Sequence, residues 1–300
     1  MQIYLDCFPC FVRQALDAAR FASSDPEVHE TVVRAVLRLA TETDVNQPPP
    51  FIGQRVHRLT REITGHTDPY YEQKRRSNAL ALRLYPELRE EERKAPNPVE
   101  AAVRLAIAGN ILDFGVCSDL DHSHAEKMIV PALEDEFDDA ELALFIDSVK
   151  EAENILYLGD NAGEIVFDRL LIELLPCAKV TFVVKGSPVI NDATMEDAQT
   201  AGLIDIVDVI DNGSDAPGTI LQSCSPEFCR RFNQADLIVA KGQGNYESLS
   251  DVDKNIFFIL KAKCPVIARD LGCRTGEMIL RRSKVFQESV HYTRQGESPC

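Results

Sequence analysis

The sequence predicts an α/β protein in which a helical N-terminal half precedes a mostly parallel sheet flanked by helices on both faces. Before residue 97, apolar residues recur at helical spacing and no segment shows the alternation of a strand. After residue 150, short apolar runs alternate with helical patterns, which is typical of parallel strands buried on both faces. A length of 300 residues allows one large or two ordinary domains, and 45% apolar residues suffice for a sizeable core.

The N-terminal half contains four predicted helices, whose first apolar residues are Phe8, Val32, Ile52 and Tyr70. The fourth is predicted to end near Leu84, because the proline-punctuated segment 86–98 is typical of a connector. We therefore predict an N-terminal all-helical domain at residues 1–97 and an α/β domain at residues 98–300. The helices expected between residues 98 and 150 are compatible with either domain.

The second half contains six predicted strands, at residues 154–158, 179–184, 206–210, 236–240, 255–260 and 265–268. Helical patterns lie between several of them, most clearly at 164–175 and 226–232. Strands that alternate with helices in this way predict parallel pairing.

Composition argues against several classes of protein. A net charge of −16 argues against a nucleic-acid binder, because such proteins present a basic face. No stretch approaches the ~20 apolar residues of a transmembrane helix, and the first residues lack the features of a secretory signal. Nine cysteines without such a signal do not indicate a disulfide framework. We expect a soluble cytoplasmic protein without membrane or nucleic-acid partners; the sequence does not predict its oligomeric state.

The loop after the first predicted strand is the most informative segment. Asp160 and Asn161 follow Gly159 directly, so an acid and an amide lie where ligands bind in α/β sheets. Their oxygen atoms are the donors that Mg²⁺ or a similar hard cation takes. The helix that opens at Gly163 and Glu164 presents backbone N–H groups and a positive dipole end, which favour phosphate. The alternative is a simple helix N-cap, a role that Asp and Asn commonly have.

Three later predicted strands also end in polar or glycine-containing loops, and such loops can meet at one edge of the sheet. The loops are 185–194, 211–218 and 241–247. Carboxylates in them can hold a divalent ion that polarises a phosphoryl oxygen and activates water, while a lysine offsets negative charge. We assign Asp160, Asn161 and Asp192 to the metal and Lys241 to phosphate. The further candidate phosphate- or substrate-binding residues are Gly163, Glu164, Ser214 and Asn245.

A polar pair interrupts the apolar helix predicted after Pro98. Asn110 and Asp113 lie three residues apart and so share one helix face. They can be a buried hydrogen-bonded pair or a helix end before Gly115, since buried polar groups usually satisfy each other. Asp113 is a candidate to take a proton from the attacking water only if its helix packs over the strand ends.

Known signatures limit the choice of mechanism. The sequence contains no G-x-x-x-x-G-K-[ST], and no G-x-G-x-x-G after the first predicted strand. A covalent aspartyl-phosphate mechanism of the haloacid-dehalogenase type is disfavoured, because Ile190 stands where the nucleophilic Asp is required, two residues before Asp192. We therefore expect direct attack by water.

Cys7 and Cys10 form the one close CxxC pair, and packing, redox chemistry and soft-metal binding all remain open for them.

Six segments together resemble one protein family. They are L-D-C-F-P-C-F-V-R-Q-A-L from Leu5, A-G-N-I-L-D-F-G from Ala108, L-G-D-N-A-G-E-I-V-F-D from Leu158, V-I-N-D-A-T from Val189, D-N-G-S-D-A-P-G from Asp211 and K-G-Q-G-N-Y-E from Lys241. In this order they are similar to the CxxC-bearing branch of the domain-of-unknown-function-89 proteins, also called damage-control phosphatases. The resemblance implies a metal-dependent phosphatase with a helical N-terminal domain and a Rossmann-like α/β domain, acting on small phosphorylated metabolites.

The resemblance also implies roles for individual positions. A divalent ion, Mg²⁺, Mn²⁺, Co²⁺ or Ni²⁺, would be held by Asp160, Asn161 and Asp192. The helix of Asn110 and Asp113 and the loop of Lys241 would border the same cleft, with Asp113 and Asn110 as the candidate catalytic residues. Two other functions stay open at this point: a methyltransferase-like protein that binds S-adenosylmethionine, and a non-enzymatic CxxC metal or redox module.

Overall fold

A computed structural model describes residues 1–109 and 137–287 and shows one six-stranded sheet with helices on both faces. The strands are β1 (Ile155–Leu158), β2 (Val180–Val184), β3 (Asp208–Asp211), β4 (Leu237–Lys241), β5 (Ile256–Lys261) and β6 (Met278–Arg282). Their order is β3-β2-β1-β4-β5-β6, with β1 to β5 parallel and β6 antiparallel to β5. The predicted mostly parallel, Rossmann-like α/β sheet is confirmed.

This strand order creates a crevice between β1 and β4. The chain runs outward from β1 through β2 to β3, then returns to place β4 on the other side of β1. Loops after β1 and β4 therefore leave the sheet in opposite directions, and ligands of such sheets bind at the carboxyl ends of the strands at this point.

The helices are α1 (Cys7–Ala22), α2 (Pro26–Thr41), α3 (Pro49–Thr64), α4 (Tyr71–Lys94), α5 (Pro98–Ala108), α6 (Asp139–Glu151), α7 (Glu164–Ile172), α8 (Met195–Thr200), α9 (Pro226–Gln234), α10 (Gly242–Leu249) and α11 (Pro265–Leu271). None of the helices in the described part of the chain is long and apolar enough to cross a membrane.

Both faces of the sheet are apolar because alternate residues of each strand point to opposite sides. Ile155 and Tyr157 of β1 join the cluster that contains residues of α4, α5 and α7. Leu156 and Leu158 join the cluster that contains residues of α9, α10 and α11. The helices α1, α2 and α3 form a third cluster around residues such as Phe11. The predicted domain boundary at residue 97 stays a prediction, although α4 packs with the sheet rather than with α1 to α3.

The fourth helix extends beyond its predicted end. The expected end near Leu84 and the connector at 86–98 are wrong, because α4 continues through Pro86 to Lys94. A proline inside a helix removes one backbone hydrogen bond, which weakens the helix at that point. Leu84 and Leu88, four residues apart on one helix face, are both fully buried in the main core. Their burial holds the helix together across the proline.

The predicted strand at 265–268 is also wrong, because these residues begin α11. Pro265 occupies the first turn of this helix, where a missing N–H costs nothing. The sixth strand is instead β6, which the sequence analysis missed because only three apolar residues precede Arg281 and Arg282. The guanidinium of Arg282 lies 5.6 Å from the ring centroid of Phe257 on the neighbouring strand, so its charge packs over an aromatic ring of the sheet.

Candidate active site

The loops that follow β1 and β2 are joined by backbone hydrogen bonds. Asn161 and Asp192 form a short antiparallel bridge. The N–H of Ala162 donates to the carbonyl of Asn191 at 2.9 Å, and the N–H of Ala193 donates to the carbonyl of Asp160 at 2.8 Å. This pairing holds the three predicted metal ligands, Asp160, Asn161 and Asp192, at one edge of the sheet.

These three residues line one cleft of about 780 Å³. Its other walls come from the start of α10 and from the segment 263–266, together with residues of α1 and α3. Ile190 lines the cleft beside Asp192 and has a positive φ of 44°. A β-branched residue in this conformation is strained by about 1–3 kcal/mol, and such strain concentrates at functional sites.

The acidic side chains in the cleft and directly behind it repel one another. Burial, with the charges of Glu164 and Asp192, raises the pKa of Asp160 well above its usual range, and Lys185 and Lys263 offset this only in part. The Lys185 ammonium lies 3.3 Å from a carboxylate oxygen of Asp192. A bound cation would relieve this repulsion, since opposite charge favours the ionised carboxylates.

The side chain of Asn161 is oriented by two carboxylates. Its Nδ2 donates to Asp160 Oδ2 at 2.8 Å and to Glu164 Oε2 at 2.9 Å. Both amide hydrogens therefore have acceptors, so the carbonyl Oδ1 is the atom left to bind a cation.

The donor chemistry of these residues fits a small divalent ion. Within residues 1–109 and 137–287, no group of three or more His, Cys, Asp or Glu side chains is arranged to hold a metal. The candidate set has two carboxylates and one amide, and Mg²⁺ is typically held by one or two carboxylates while its other positions take water and substrate phosphate. Gly242 gives the carboxylate room, because a Cβ there would lie 1.9 Å from Asp160 Oδ2.

The sequence predicts that Lys241 contacts phosphate, but its side chain does not line this cleft. Its side chain is fully buried, and Nζ donates to Glu164 Oε1 at 2.7 Å, Asp168 Oδ1 at 2.5 Å and the carbonyl of Ala106 at 2.9 Å. Burial lowers the pKa of Lys241, but the charges of Asp168 and Glu164 outweigh this and raise it, so the amine is protonated. An ammonium group has three hydrogens, and here all three are occupied within the protein.

The ion pair of Lys241 belongs to a buried hydrogen-bonded chain beneath the cleft. Tyr157 Oη donates to Asp168 Oδ1 at 2.9 Å. Burial raises the pKa of Asp168 to about 6, although the charge of Lys241 lowers it. Through Glu164, the chain continues to Asn161 and so connects the core of the sheet with the candidate metal ligands.

Three further residues that were predicted to bind phosphate or substrate, Gly163, Ser214 and Asn245, are also not among the residues that line the cleft. The N–H of Gly163 donates to Asn78 Oδ1 at 2.6 Å and is buried. Ser214 Oγ shares a hydrogen bond of 2.7 Å with Ser223 Oγ. Asn245 Nδ2 donates to the carbonyl of Lys241 at 2.7 Å, and its Oδ1 accepts from Thr219 Oγ1 at the same distance. In this arrangement these groups stabilise the loops, because their hydrogen-bonding capacity is used by neighbouring segments.

Two lysines near the candidate metal site were not among the residues predicted to bind phosphate. Lys185 lies in the loop 185–194 after β2, and Lys263 follows β5 and lines the cleft. Both follow a parallel strand of this sheet, which is the signal that could have identified them.

The expected catalytic residues Asn110 and Asp113 lie outside the described residues.

The CxxC pair lies in the same cleft. Cys7, Cys10 and Cys264 all line it, and Cys10 is exposed. Burial raises the pKa of both Cys7 and Cys10, which is the opposite of the lowered pKa that a reactive thiolate requires. The two thiols are therefore predominantly neutral at pH 7.

Comparisons with known proteins cover nearly the whole chain. The model of the damage-control phosphatase ARMT1-like domain matches residues 3–279. A damage-control phosphatase of Pyrococcus horikoshii is 38% identical over 292 residues, covering 95% of this chain and 99% of the relative. A damage-control phosphatase of Archaeoglobus fulgidus is 35% identical over 288 residues, covering 94% and 99%.

A solved structure agrees with these sequence matches. The crystal structure of a DUF89 family protein from Pyrococcus horikoshii superimposes with a TM-score of 0.86 at 36% identity, covering 95% of this chain and all of that one. An uncharacterised protein of Methanocaldococcus jannaschii is 37% identical over 291 residues, covering 93% and 95%. From its match to the family model and these relatives, the chain belongs to the damage-control phosphatase ARMT1-like family.

Proposed function

We propose that this protein is a damage-control phosphatase that hydrolyses monoesters of small phosphorylated metabolites with the help of a divalent ion. The observation that carries the proposal is the backbone bridge between Asn161 and Asp192, which joins two strand-end loops in one cleft. Two relatives that match almost the whole chain are damage-control phosphatases by name. The identity of the ion, Mg²⁺, Mn²⁺, Co²⁺ or Ni²⁺, is part of the proposal.

The contacts of the chain's own residues support a role for most of them. Asp160, Asp192 and the Oδ1 atom of Asn161 would hold the ion, which when bound polarises a phosphoryl oxygen and makes a water more acidic. Lys263 lines the cleft and would offset charge on the phosphate. Asp113 and Asn110 stay proposed catalytic residues on the resemblance alone. Phosphate contact by Lys241 is not carried forward, because its ammonium group is fully used inside the protein.

The test is hydrolysis of p-nitrophenyl phosphate after removal of metals with EDTA and addition of each of the four ions. We expect activity with at least one ion, and a loss of about a hundredfold or more in Asp160→Asn and Asp192→Asn, because metal-held charge contributes several kcal/mol to such reactions. Asp205→Asn is the control, since Asp205 is exposed and precedes β3 at the opposite edge of the sheet. Full activity of either site variant, or of the metal-free protein, would contradict the proposal.

The two alternatives make different predictions. A methyltransferase-like protein would bind S-adenosylmethionine, which calorimetry would detect. A redox or soft-metal module would lose bound metal or thiol reactivity in a Cys7→Ser, Cys10→Ser variant without any link to phosphate chemistry. The comparisons support neither, because the named relatives are phosphatases.

A further inference from the structure

The N-terminal helices build a wall of the cleft that the chemistry described above does not use. We call it the α1 wall and define it by Cys7, Cys10, Phe11 and Phe21 of α1, with Tyr70. It lines the same cleft of about 780 Å³ as Asp160 and Asp192. A cleft of this size accommodates a drug-sized molecule and is much larger than a phosphate group needs.

The surface of the α1 wall is apolar and aromatic. Phe21 is 41% exposed although it lines a cleft, and its ring centroid lies 5.0 Å from that of Tyr70 at an interplanar angle of 66°. Aromatic surface left open in a cleft is the type of surface that a ligand covers. Cys7 and Cys10 add soft, polarizable surface, and burial keeps both thiols neutral by raising their pKa.

The charges around this wall disfavour a second anionic group on the ligand. Asp6, which precedes α1, and Asp17, which lies on α1, also line the cleft, and the chain as a whole carries a net charge of −16. A carboxylate or a second phosphate at the α1 wall would be repelled by these acids. Among the described residues that line the cleft, the lysine is Lys263. Its charge lowers the pKa of Asp160, so it acts near the candidate metal ligands, where the phosphate would bind, and not at the α1 wall.

We infer that the α1 wall binds an uncharged, planar or apolar group of a substrate whose single phosphate is held by the divalent ion that Asp160 and Asp192 would bind. The substrate class is therefore an aryl or other apolar phosphomonoester rather than a bisphosphate or a phosphorylated acid. This inference rests on the proposed function and assigns to the CxxC pair a role in substrate recognition.

The first test compares benzylphosphonate with methylphosphonate as inhibitors of p-nitrophenyl phosphate hydrolysis. The two compounds are stable analogues of phosphate monoesters and differ by a phenyl ring. We expect the inhibition constant of benzylphosphonate to be at least about tenfold lower, because burial of a phenyl ring contributes on the order of that factor. A para-carboxylate on the ring should remove the advantage. Equal inhibition by benzylphosphonate and methylphosphonate would overturn the inference.

A second test measures the wall without measuring catalysis. Cys10 is exposed, so its alkylation by iodoacetamide can be followed by mass spectrometry. Saturating benzylphosphonate should slow alkylation of Cys10 at least about fivefold more than saturating methylphosphonate, since a bound ring covers the thiol. Cys273 is the internal control, because burial also raises its pKa but it does not line the cleft. Equal protection of Cys10 by both compounds would contradict the inference.

Matched variants locate the effect. Phe21→Ala should reduce the preference for benzylphosphonate by about fivefold or more. Leu37→Ala removes a similarly exposed apolar side chain from α2, outside the cleft, and should leave the preference unchanged. The two proposals fail in different ways. Absence of any phosphatase activity would reject the proposed function, whereas activity without a preference for the aromatic analogue would reject only the recognition role of the α1 wall.

Discussion

Lys241 Nζ lies 2.7 Å from Glu164 Oε1, and this fully buried ion pair stands directly behind the candidate metal ligands. Glu164 uses its second oxygen to accept from Asn161 Nδ2 at 2.9 Å. One carboxylate thus connects a buried lysine on β4 with a candidate metal ligand on the loop after β1. The arrangement gives Glu164 a positioning role, since it directs the amide of Asn161 without itself lining the cleft.

Replacing Glu164 should weaken metal binding by misorienting Asn161. In Glu164→Gln the new side-chain amide no longer presents two acceptors, so Asn161 loses one fixed partner. We expect the dissociation constant for Mn²⁺, measured by electron paramagnetic resonance, to rise about tenfold, as is typical when an outer partner of a ligand is removed. Glu173→Gln is the control, because Glu173 accepts from Arg169 and Tyr85 away from the cleft. Unchanged Mn²⁺ affinity in Glu164→Gln would contradict the positioning role.

Replacing Lys241 should destabilise the fold rather than remove a phosphate contact. Lys241→Met leaves Glu164 and Asp168 buried without their common cation, which lowers the free energy of unfolding by about 3–5 kcal/mol. Urea denaturation measures this change. A variant with unchanged unfolding and a raised KM would instead support the phosphate contact expected from the sequence.

The glycine after Lys241 should be required for the geometry of Asp160. Gly242→Ala introduces a Cβ that would lie 1.9 Å from Asp160 Oδ2, at a φ of 78°. We expect activity to fall at least about a hundredfold, because displaced catalytic groups lose this much. Gly272→Ala is a matched control, since its φ of 71° brings the same backbone strain with nothing within 4 Å of the new Cβ. Similar kcat/KM values for the two variants would show that the contact with Asp160 is unimportant.

The contact between α3 and the loop after β3 should make stability depend on acid pH. Burial acts to raise the pKa of Asp215, but hydrogen bonds from Arg58 and Gln54 outweigh this and lower it to about 2. Because this lies below the ordinary value of 3.8, the unfolded chain binds more protons between these two pH values. The stability that Asp215 contributes is therefore complete above pH 3.8 and is lost as the pH falls towards 2.

The measurement is the urea midpoint as a function of pH. Asp215→Asn should be less stable than the parent at pH 7, and the difference between the two should shrink as the pH falls from 4 to 2. Asp205→Asn, at an exposed position away from this contact, should follow the parent at every pH. A constant difference between the parent and Asp215→Asn would show that the ion pairs do not cause the acid dependence.

Local patterns in the sequence were sufficient for most of the secondary structure. The first five strands were predicted within a few residues. The apolar runs of β1, β2, β4 and β5 are buried on both faces of the sheet, whereas β3 lies at its edge and is partly exposed. Two of the failures share one cause: Pro86 continues in α4 and Arg282 lies in β6 because distant residues pack around them. Such contacts leave no local pattern, and tertiary packing commonly overrides local preference.

The same distinction between local sequence patterns and tertiary contacts applies to the candidate site. The sequence by itself determined the class of fold and the strand-end positions of Asp160, Asn161, Asp192 and Lys241, since these depend on periodicity within short segments. Only the tertiary structure decided which of them line the cleft. Lys241 ends its strand beneath α5 and α7, where Ala106, Glu164 and Asp168 take up its charge, whereas the bridge between Asn161 and Asp192 holds their loops at the open edge. Burial and pairing of a charged group depend on neighbours far away in the chain, and those neighbours are brought together only by folding.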